Sequence, residues 1–267
     1  MKRAAASVWG SLWRLFVLLL IAALGLQVYF VCRVAMMAVV DPQSTTFQRS
    51  EAWRLLVQKH DIAWRQQWVD TEQISAQLKR AVIASEDAGF AEHSGVEWDA
   101  LEHAWERNQI AEARAAKLNE QLEKRAASNA RPNAAPPTPP KRVAPKIVGG
   151  STITQQLAKN LFLGPERSIP RKAQEFAITF MLETLLGKQR ILEIYLNNVE
   201  WGEGLFGAEA ASRHYFGISA NKLSANQAAR LAVMLPAPKR FEKRPNSAYV
   251  SGRAATITAR MGGVELP

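Results

Sequence analysis

Apolar residues recur at helical spacing along most of this chain, and no stretch shows the sustained apolar–polar alternation of a half-buried strand. Residues 171–195 follow the helical period, with an interruption near Gly187. Two capping boxes, each a hydroxyl residue followed three positions later by Gln, predict helix starts at Thr152 and Ser224, and the second helix stops before Pro236. The pattern predicts a mainly α fold.

The most apolar stretch is residues 15–32, in which Gln27 is the one strongly polar side chain. As a helix it spans about 27 Å, close to the hydrocarbon thickness of a bilayer. Residues 1–14 carry three basic side chains, whereas Arg33 is the only one in the sixteen positions after the stretch, which predicts a cytoplasmic amino terminus and an exported body. A cleaved signal peptide is the alternative, but large residues follow where it needs a small-residue cleavage site. We therefore expect an uncleaved transmembrane helix.

The remainder divides into a segment next to the membrane and a main domain. Tryptophans recur among charges in the juxtamembrane segment, residues 33–73, and its apolar face has two possible places, the membrane surface or the main domain. The domain is predicted at 74–261, with a mobile basic Ala/Pro-rich insertion at about 105–147. Residues 99–128, which lead into the insertion, have helical propensity. Residues 131–145 hold six of the thirteen prolines and are expected to form an extended linker.

Composition limits the partners. The chain has 34 Lys and Arg against 24 Asp and Glu, a formal net charge of +10, which favours anionic partners. Residues 103–148 carry nine basic and four acidic side chains, half of that excess, so the charge is weak evidence for a nucleic acid, and none is expected. Cys32 is the single cysteine, which excludes an intramolecular disulfide and a cysteine-based zinc site.

Two adjacent acids, Glu86 and Asp87, stand at the end of a predicted helix that Gly89 is expected to terminate. The negative end of the helix dipole raises the pKa of a carboxylate, as a general base requires. A solvated helix end is the alternative, and these two residues alone do not decide between them.

A second group of residues suits a phosphate. Residues 149–156 bring two glycines and three hydroxyl side chains to a helix amino terminus, although capping by Thr152 alone explains this. Basic residues that could neutralise a diphosphate come next, with Glu175 one turn after the third of them: Lys159, Arg167, Arg171 and Lys172. A solvated charged face is the alternative.

Residues 202–207, GEGLFG, match the dinucleotide-binding fingerprint, which needs a preceding strand and an acid about 20 residues later. A helical pattern precedes them and residues 210–241 contain no acid, so we expect a loop.

Five stretches taken together resemble the peptidoglycan glycosyltransferases. In order they are SEDAGFAEHSG, GGSTITQQLAKNLFL, ERSIPRKAQEFAITFMLE, KQRILEIYLNNVEWGEGLFGAEAASRHYFG and QAARLAVMLPAPKRF, which cover most of residues 81–241. Bifunctional relatives continue into a penicillin-binding domain. The chain ends at Pro267, so we expect the monofunctional type.

The resemblance implies a mainly α, lysozyme-like glycosyltransferase domain that is anchored in the inner membrane and faces the periplasm. It implies polymerisation of lipid II into β-1,4-linked glycan strands with release of undecaprenyl diphosphate, by a single inverting displacement. Partners implied are lipid II, the growing glycan strand and the membrane, and proteins of cell division or cell-wall synthesis are open candidates.

The resemblance also assigns roles to residues. Glu86 falls on the general base, and Glu175 on a second catalytic carboxylate that is thought to act at the diphosphate through a divalent cation, Mg²⁺ or Mn²⁺; no organic cofactor is expected. The matching substrate-binding residues are Asp87, Phe90, His93, Ser151, Thr154, Gln155, Lys159, Asn160, Arg167 and Arg171.

One departure is the length of chain between the first two motifs, which the family fills with a mobile flap. We expect the insertion to be disordered and residues 112–145 to be dispensable for catalysis.

Two other functions fit parts of the sequence. A glycan-cleaving lysozyme-like enzyme would need no cluster of basic residues, and an inactive envelope scaffold would need neither carboxylate.

Overall fold

The computed structural model describes residues 2–128, 142–145, 149–164, 166 and 168–267. Most of these residues are helical, which confirms the mainly α prediction. The α-helices of the described chain are α1 (Lys2–Met36), α2 (Thr46–Lys59), α3 (Ala76–Glu86), α4 (Trp98–Ser128), α5 (Ile153–Phe162), α6 (Ile169–Leu185), α7 (Lys188–Asn198), α8 (Ala208–Phe216), α9 (Ala225–Met234), α10 (Pro238–Phe241) and α11 (Ala248–Arg260). Its short strands are β1 (Arg65–Gln66), β2 (Glu200–Gly202) and β3 (Leu205–Phe206).

Within the described residues, α1 is the one helix long and apolar enough to cross a membrane, over Trp9–Met36. It contains the predicted span, residues 15–32, and continues beyond it at both ends. Its large apolar side chains are exposed from Trp9 to Tyr29, as expected of a helix that lipid covers. The helix suggests a single-pass membrane anchor.

The carboxyl-terminal end of α1 packs on the helical domain. Phe30 is buried and meets the ring of Phe162 edge to face, with 5.3 Å between centroids. Gln27 and Gln174 of α6 exchange two hydrogen bonds of 2.8 and 3.1 Å between their side-chain amides. The one strongly polar side chain of the apolar stretch therefore has a partner, which offsets the cost of placing an amide in an apolar helix.

The larger of two compact units comprises the chain up to Gly95 together with Ile153–Pro267. Its core is built on α7 and on α9, whose alanine-rich face packs between α3 and α11. As predicted, α9 begins after a capping box at Ser224 and ends before Pro236. The predicted interruption near Gly187 is also confirmed, since α6 ends at Leu185 and Gly187 is the N-cap of α7.

Residues 33–73 pack on this unit, one of the two places that the sequence left open. Leu55 of α2 is buried, and Trp64 stacks on Phe206 with 4.5 Å between ring centroids. Trp53, on the other face of α2, is 68% exposed. The juxtamembrane segment is therefore part of the folded unit.

The expectation of a plain loop at residues 202–207 is wrong. β2 pairs antiparallel with β3, and β1 pairs parallel with the other edge of β3, which gives a small sheet in the order β1-β3-β2. Gly204 has φ +68°, and a Cβ there would come within 1.9 Å of the Ala63 carbonyl oxygen. Gly204 therefore allows a tight turn between β2 and β3 to pass close to the chain just before β1. These described residues form no dinucleotide-binding βα unit.

The second unit is Val96–Thr152, and α4 is its main element. The helical prediction for residues 99–128 is confirmed, and disorder is therefore wrong for residues 105–128 of the insertion. Residues 142–145 lie along α4, where Asn119 and the backbone of Val143 exchange hydrogen bonds of 2.7 and 3.0 Å. The rest of the predicted linker, residues 131–141, lies outside the described residues, and the dispensability of residues 112–145 stays a prediction.

Candidate active site

Glu86 is the last residue of α3, and the chain turns out of the helix at Asp87, which has φ −164°. The helix therefore ends before the predicted terminator Gly89, with Asp87 as its C-cap. The Asp87 carboxylate explains the turn, because its Oδ2 accepts a hydrogen bond of 2.9 Å from the backbone N–H of Ile153 and its Oδ1 lies 2.7 Å from Nε2 of His93. These contacts fasten the first turn of α5 to the end of α3.

The tautomer of His93 follows from its second contact. The N–H of Gly95 donates to Nδ1 at 3.1 Å, so Nε2 carries the ring proton and donates to Asp87. Gly95 has φ +86°, and a Cβ there would come within 2.7 Å of the Glu183 side chain. The turn after Glu86 is thus held by a chain of hydrogen bonds. The Glu183 side chain leaves no room for a residue larger than glycine at position 95.

Glu86 itself is partly exposed, and its two oxygens have different neighbours. Oε2 accepts a hydrogen bond of 3.1 Å from Nε2 of Gln156, and Oε1 lies 3.5 Å from the hydroxyl of Ser85. Burial raises the pKa of the Glu86 carboxyl, and the charge of Asp87 adds to this, while the hydrogen bonds from Gln156 and Ser85 lower it. The result is a carboxylate whose raised pKa suits it to accept a proton.

A cluster of charged groups surrounds Glu175 on α6. Glu175 is only 3% exposed, and its oxygens accept hydrogen bonds from Nη1 of Arg171, at 2.9 Å, and from Nζ of Lys172. Lys159 of α5 reaches solvent, yet desolvation lowers the pKa of its amine; Glu175 raises that pKa, and the nearby Arg171 and Lys172 lower it further. One buried acid thus holds several basic groups together.

One face of α5 connects the carboxylate to this cluster. Gln156 and Lys159 are three residues apart, about 4.5 Å along the helix axis, and therefore point to the same side. Gln156 contacts Glu86, and Lys159 interacts with the charges around Glu175. The same face of α5 therefore serves a carboxylate that can accept a proton and a group of cations that can neutralise negative charge on a leaving group.

Comparisons with known proteins agree with this chemistry. The transglycosylase family model matches residues 55–135 and 141–262. The chain belongs to the transglycosylase family. It is therefore a glycosyltransferase, and the resemblance to the peptidoglycan glycosyltransferases is confirmed.

Similar curated proteins carry the name biosynthetic peptidoglycan transglycosylase. The protein of Paraburkholderia phytofirmans is 48% identical over 248 residues, 92% of this chain and 90% of the relative. That of Burkholderia thailandensis is 49% identical over 247 residues (92% and 84%), and that of Cupriavidus metallidurans is 48% identical over 254 residues (93% and 95%). The gap between the two parts of the family match, residues 136–140, lies within the predicted insertion.

Several residues that the family resemblance assigned to substrate are buried in this transglycosylase. Phe90 has no exposed surface and packs under the ammonium of Lys188, 4.5 Å from its ring centroid. Thr154 is also fully buried and donates a hydrogen bond of 2.5 Å to Glu183, and Gln155 is 1% exposed. These three side chains are enclosed by the protein, and their assignment to substrate stays a prediction.

The remaining assignments divide by position. Asp87 and His93 lie next to Glu86, with polar atoms engaged in fastening the turn. Asn160 is half-buried on α5, one residue after Lys159. Ser151 is exposed but belongs to the second unit. Arg167 lies outside the described residues.

The structure adds Gln156 and Tyr195 to the site, and sequence reasoning missed both. The choice between Gln155 and Gln156 depends on which face of α5 is turned to Glu86, and a TQQ stretch does not reveal that. Tyr195 of α7 falls on the apolar period of residues 171–195, which gives no sign of a polar contact. Its hydroxyl in fact donates to Oε1 of Gln156 at 2.9 Å, 39 residues away in the sequence.

Proposed function

We propose that this transglycosylase polymerises lipid II into β-1,4-linked glycan strands and releases undecaprenyl diphosphate, by a single inverting displacement. One observation carries the proposal: one face of α5 bears Gln156, which donates to the partly buried Glu86 carboxylate, and, one turn on, Lys159, which interacts with the charges around Glu175. Glycan synthesis from a diphosphate donor needs a base and an anion site together, whereas cleavage of a neutral glycan needs no such cluster.

In the proposed reaction, Glu86 removes the proton from the 4-hydroxyl of the acceptor sugar. The hydroxyl oxygen forms a bond to the anomeric carbon of the donor as the bond from that carbon to the diphosphate oxygen breaks. The donor is α-linked, so attack from the opposite face gives a β linkage. The proton ends on the Glu86 carboxyl and passes to solvent, and no covalent enzyme intermediate is formed.

The departing diphosphate gains negative charge as the bond breaks, and the cations of α5 and α6 are placed to neutralise it. Lys159 and Arg171 are assigned this role, and Glu175 orders Arg171 and Lys172 through its hydrogen bonds. Preorganised donors of this kind each contribute about 10²–10³ in rate where charge develops.

A divalent cation, Mg²⁺ or Mn²⁺, does not fit at Glu175 as the side chains stand. Both of its oxygens accept hydrogen bonds from cationic groups, whereas Mg²⁺ is held by oxygen ligands that are free to coordinate it. We therefore derive no step through a protein-bound metal, and assign the charge neutralisation to the basic side chains.

The membrane anchor fits a lipid-linked substrate. Because an undecaprenyl chain stays in the bilayer, a catalytic unit docked on the end of α1 meets the diphosphate at the membrane surface. We propose that α1 crosses the inner membrane with its amino terminus in the cytoplasm and that the catalytic unit faces the periplasm. The growing glycan strand is the second substrate there, and division or cell-wall synthesis proteins are candidate partners.

Product analysis tests this function. Full-length protein in detergent is incubated with labelled lipid II, and the polymer and the released lipid are measured together. We expect one undecaprenyl diphosphate for each new bond and a polymer that a β-1,4-specific muramidase digests completely. New reducing ends from added glycan, with no polymer from lipid II, would instead indicate the cleaving enzyme.

A further inference from the structure

Tyr195 stands behind the candidate base in a hydrogen-bonded series of three side chains. Its hydroxyl donates to Oε1 of Gln156 at 2.9 Å, and Nε2 of the same amide donates to Oε2 of Glu86 at 3.1 Å. The three residues come from α7, α5 and α3, and Tyr195 is 1% exposed. The series therefore depends on the packing of three helices.

The orientation of the Gln156 amide decides what Glu86 faces. With Nε2 toward Glu86 the carboxylate receives a hydrogen bond, which favours its charged form; with Oε1 toward it, two acceptors would meet and the protonated form would be favoured. The Tyr195 hydroxyl selects the first orientation, because a donor on the far side of the amide attracts Oε1.

The phenol is well suited to stay a donor. Burial raises the pKa of Tyr195 well above 10, and the charges of Glu86 and Asp87 raise it further, so the hydroxyl keeps its proton throughout the working pH range. Asp87, beside Glu86, and Tyr195, on the facing helix, are the ionisable neighbours that interact with the base among the described residues.

We propose that Tyr195 is a positioning residue for the general base: through the amide of Gln156 it keeps a hydrogen-bond donor on Glu86 and so holds that carboxylate ready to accept a proton. The inference rests on the proposed function, because it assigns Tyr195 a task only if Glu86 acts as the base. Tyr195 itself contacts no reacting atom.

The test is the pH profile of lipid II polymerisation by full-length Tyr195→Phe, which keeps the ring and removes the hydroxyl. Without the Tyr195 hydroxyl, the Gln156 amide is no longer held with its donor toward Glu86, so the pKa of Glu86 should rise. We expect the acidic limb about 0.5 to 1 pH unit higher, and therefore a rate about 3- to 10-fold lower at a pH on that limb. Tyr215→Phe is the matched control, since the hydroxyl of Tyr215 donates to the backbone oxygen of Trp201 at 2.8 Å, and its acidic limb should match wild type.

Gln156→Met separates positioning from a structural role. It breaks the same series at its centre, so it should shift the acidic limb in the same direction, and adding Tyr195→Phe to it should shift the limb no further. Additive shifts, or a wild-type limb in Tyr195→Phe, would overturn the proposal. If Tyr195→Phe does not fold, an unshifted limb in Gln156→Met overturns it. A wild-type protein that makes no polymer would refute the proposed function instead.

Discussion

At the scale of single residues, the site depends on carboxylates that look alike in the sequence and differ in their surroundings. Glu86 keeps solvent access and one amide donor, whereas Glu175 is buried between two cations. The carboxylate of the adjacent Asp87 accepts a hydrogen bond from the first turn of α5 and so holds the turn in place. Glu86 could be chosen from the sequence because it ends a predicted helix within a specific motif. The buried roles of Phe90 and Thr154 could not, because both depend on contacts with α6 and α7.

Removing the guanidinium of Arg171 tests the anion site. Arg171→Gln should lower the polymerisation rate about 10²-fold, since one preorganised donor at the leaving group is lost. Arg213→Gln is the matched control, because Arg213 also pairs with a glutamate four residues away, at 2.7 Å from Glu209, on α8. Initial polymerisation rates of the Arg171→Gln and Arg213→Gln variants are compared at saturating labelled lipid II. Equal losses in both variants would mean that Arg171 acts only through stability.

At the scale of elements, helix starts and stops were the predictable part. The capping box at Ser224 and the break at Gly187 are local signals, and both elements form as predicted. The membership of residues 33–73 in the folded unit was not predictable, because it rests on pairing of β1 with β3, some 140 residues away in sequence. The expected loop at 202–207 contains strand residues because β3 pairs with β1 over this distance and with the neighbouring β2.

The sheet contains an acid whose stability effect depends on pH. Glu200 of β2 is 8% exposed, and its Oε1 lies 3.5 Å from the ammonium of Lys239. Burial raises the pKa of Glu200 to about 7; Lys239 lowers it, and the charges of Glu51 and Glu242 add to the rise. An acid with a raised folded-state pKa stabilises the fold when protonated, so stability should fall as pH rises from about 4.3 through 7.

Glu200→Gln should therefore be more stable than wild type at pH 8, by up to about 3 kcal/mol, and equal to it near pH 4. Thermal unfolding in detergent across this range measures the difference. Glu209→Gln is the contrasting variant. The buried Glu209 carboxylate accepts hydrogen bonds from Arg213, Ser219 and Ala220, so replacing its charge should lower the stability of the folded protein. A pH-independent difference between Glu200→Gln and wild type would contradict the assignment.

At the scale of the whole molecule, the proposed membrane anchor is joined directly to the catalytic unit, as the proposed lipid-linked substrate requires. The end of α1 is fixed to α6 through Gln27 and Gln174, and α6 also carries the cation cluster. The long apolar helix was predictable from the length of the apolar stretch alone. The packing of this helix on α6 was not predictable, because a single Gln in an apolar stretch does not indicate which residue it will bond to.

Orientation in the membrane can be measured with single cysteines. In a Cys32→Ser background, Asp61→Cys places a thiol on an exposed position after α2, and Ser7→Cys places one in the amino-terminal tail. A membrane-impermeant maleimide added to spheroplasts should label the first and spare the second until the cells are lysed. Labelling of Ser7→Cys in intact spheroplasts would reverse the proposed topology.

The central claim is that Glu86 removes the acceptor proton, and its most direct test is the polymerisation rate of Glu86→Gln. Full-length protein and labelled lipid II are compared for wild type, Glu86→Gln and Glu92→Gln, the last being an exposed acid of the same turn. We predict polymer from wild type and Glu92→Gln, and a rate lower by roughly 10³-fold in Glu86→Gln, within the range for losing a general base. A folded Glu86→Gln that polymerises lipid II at the wild-type rate would contradict the account.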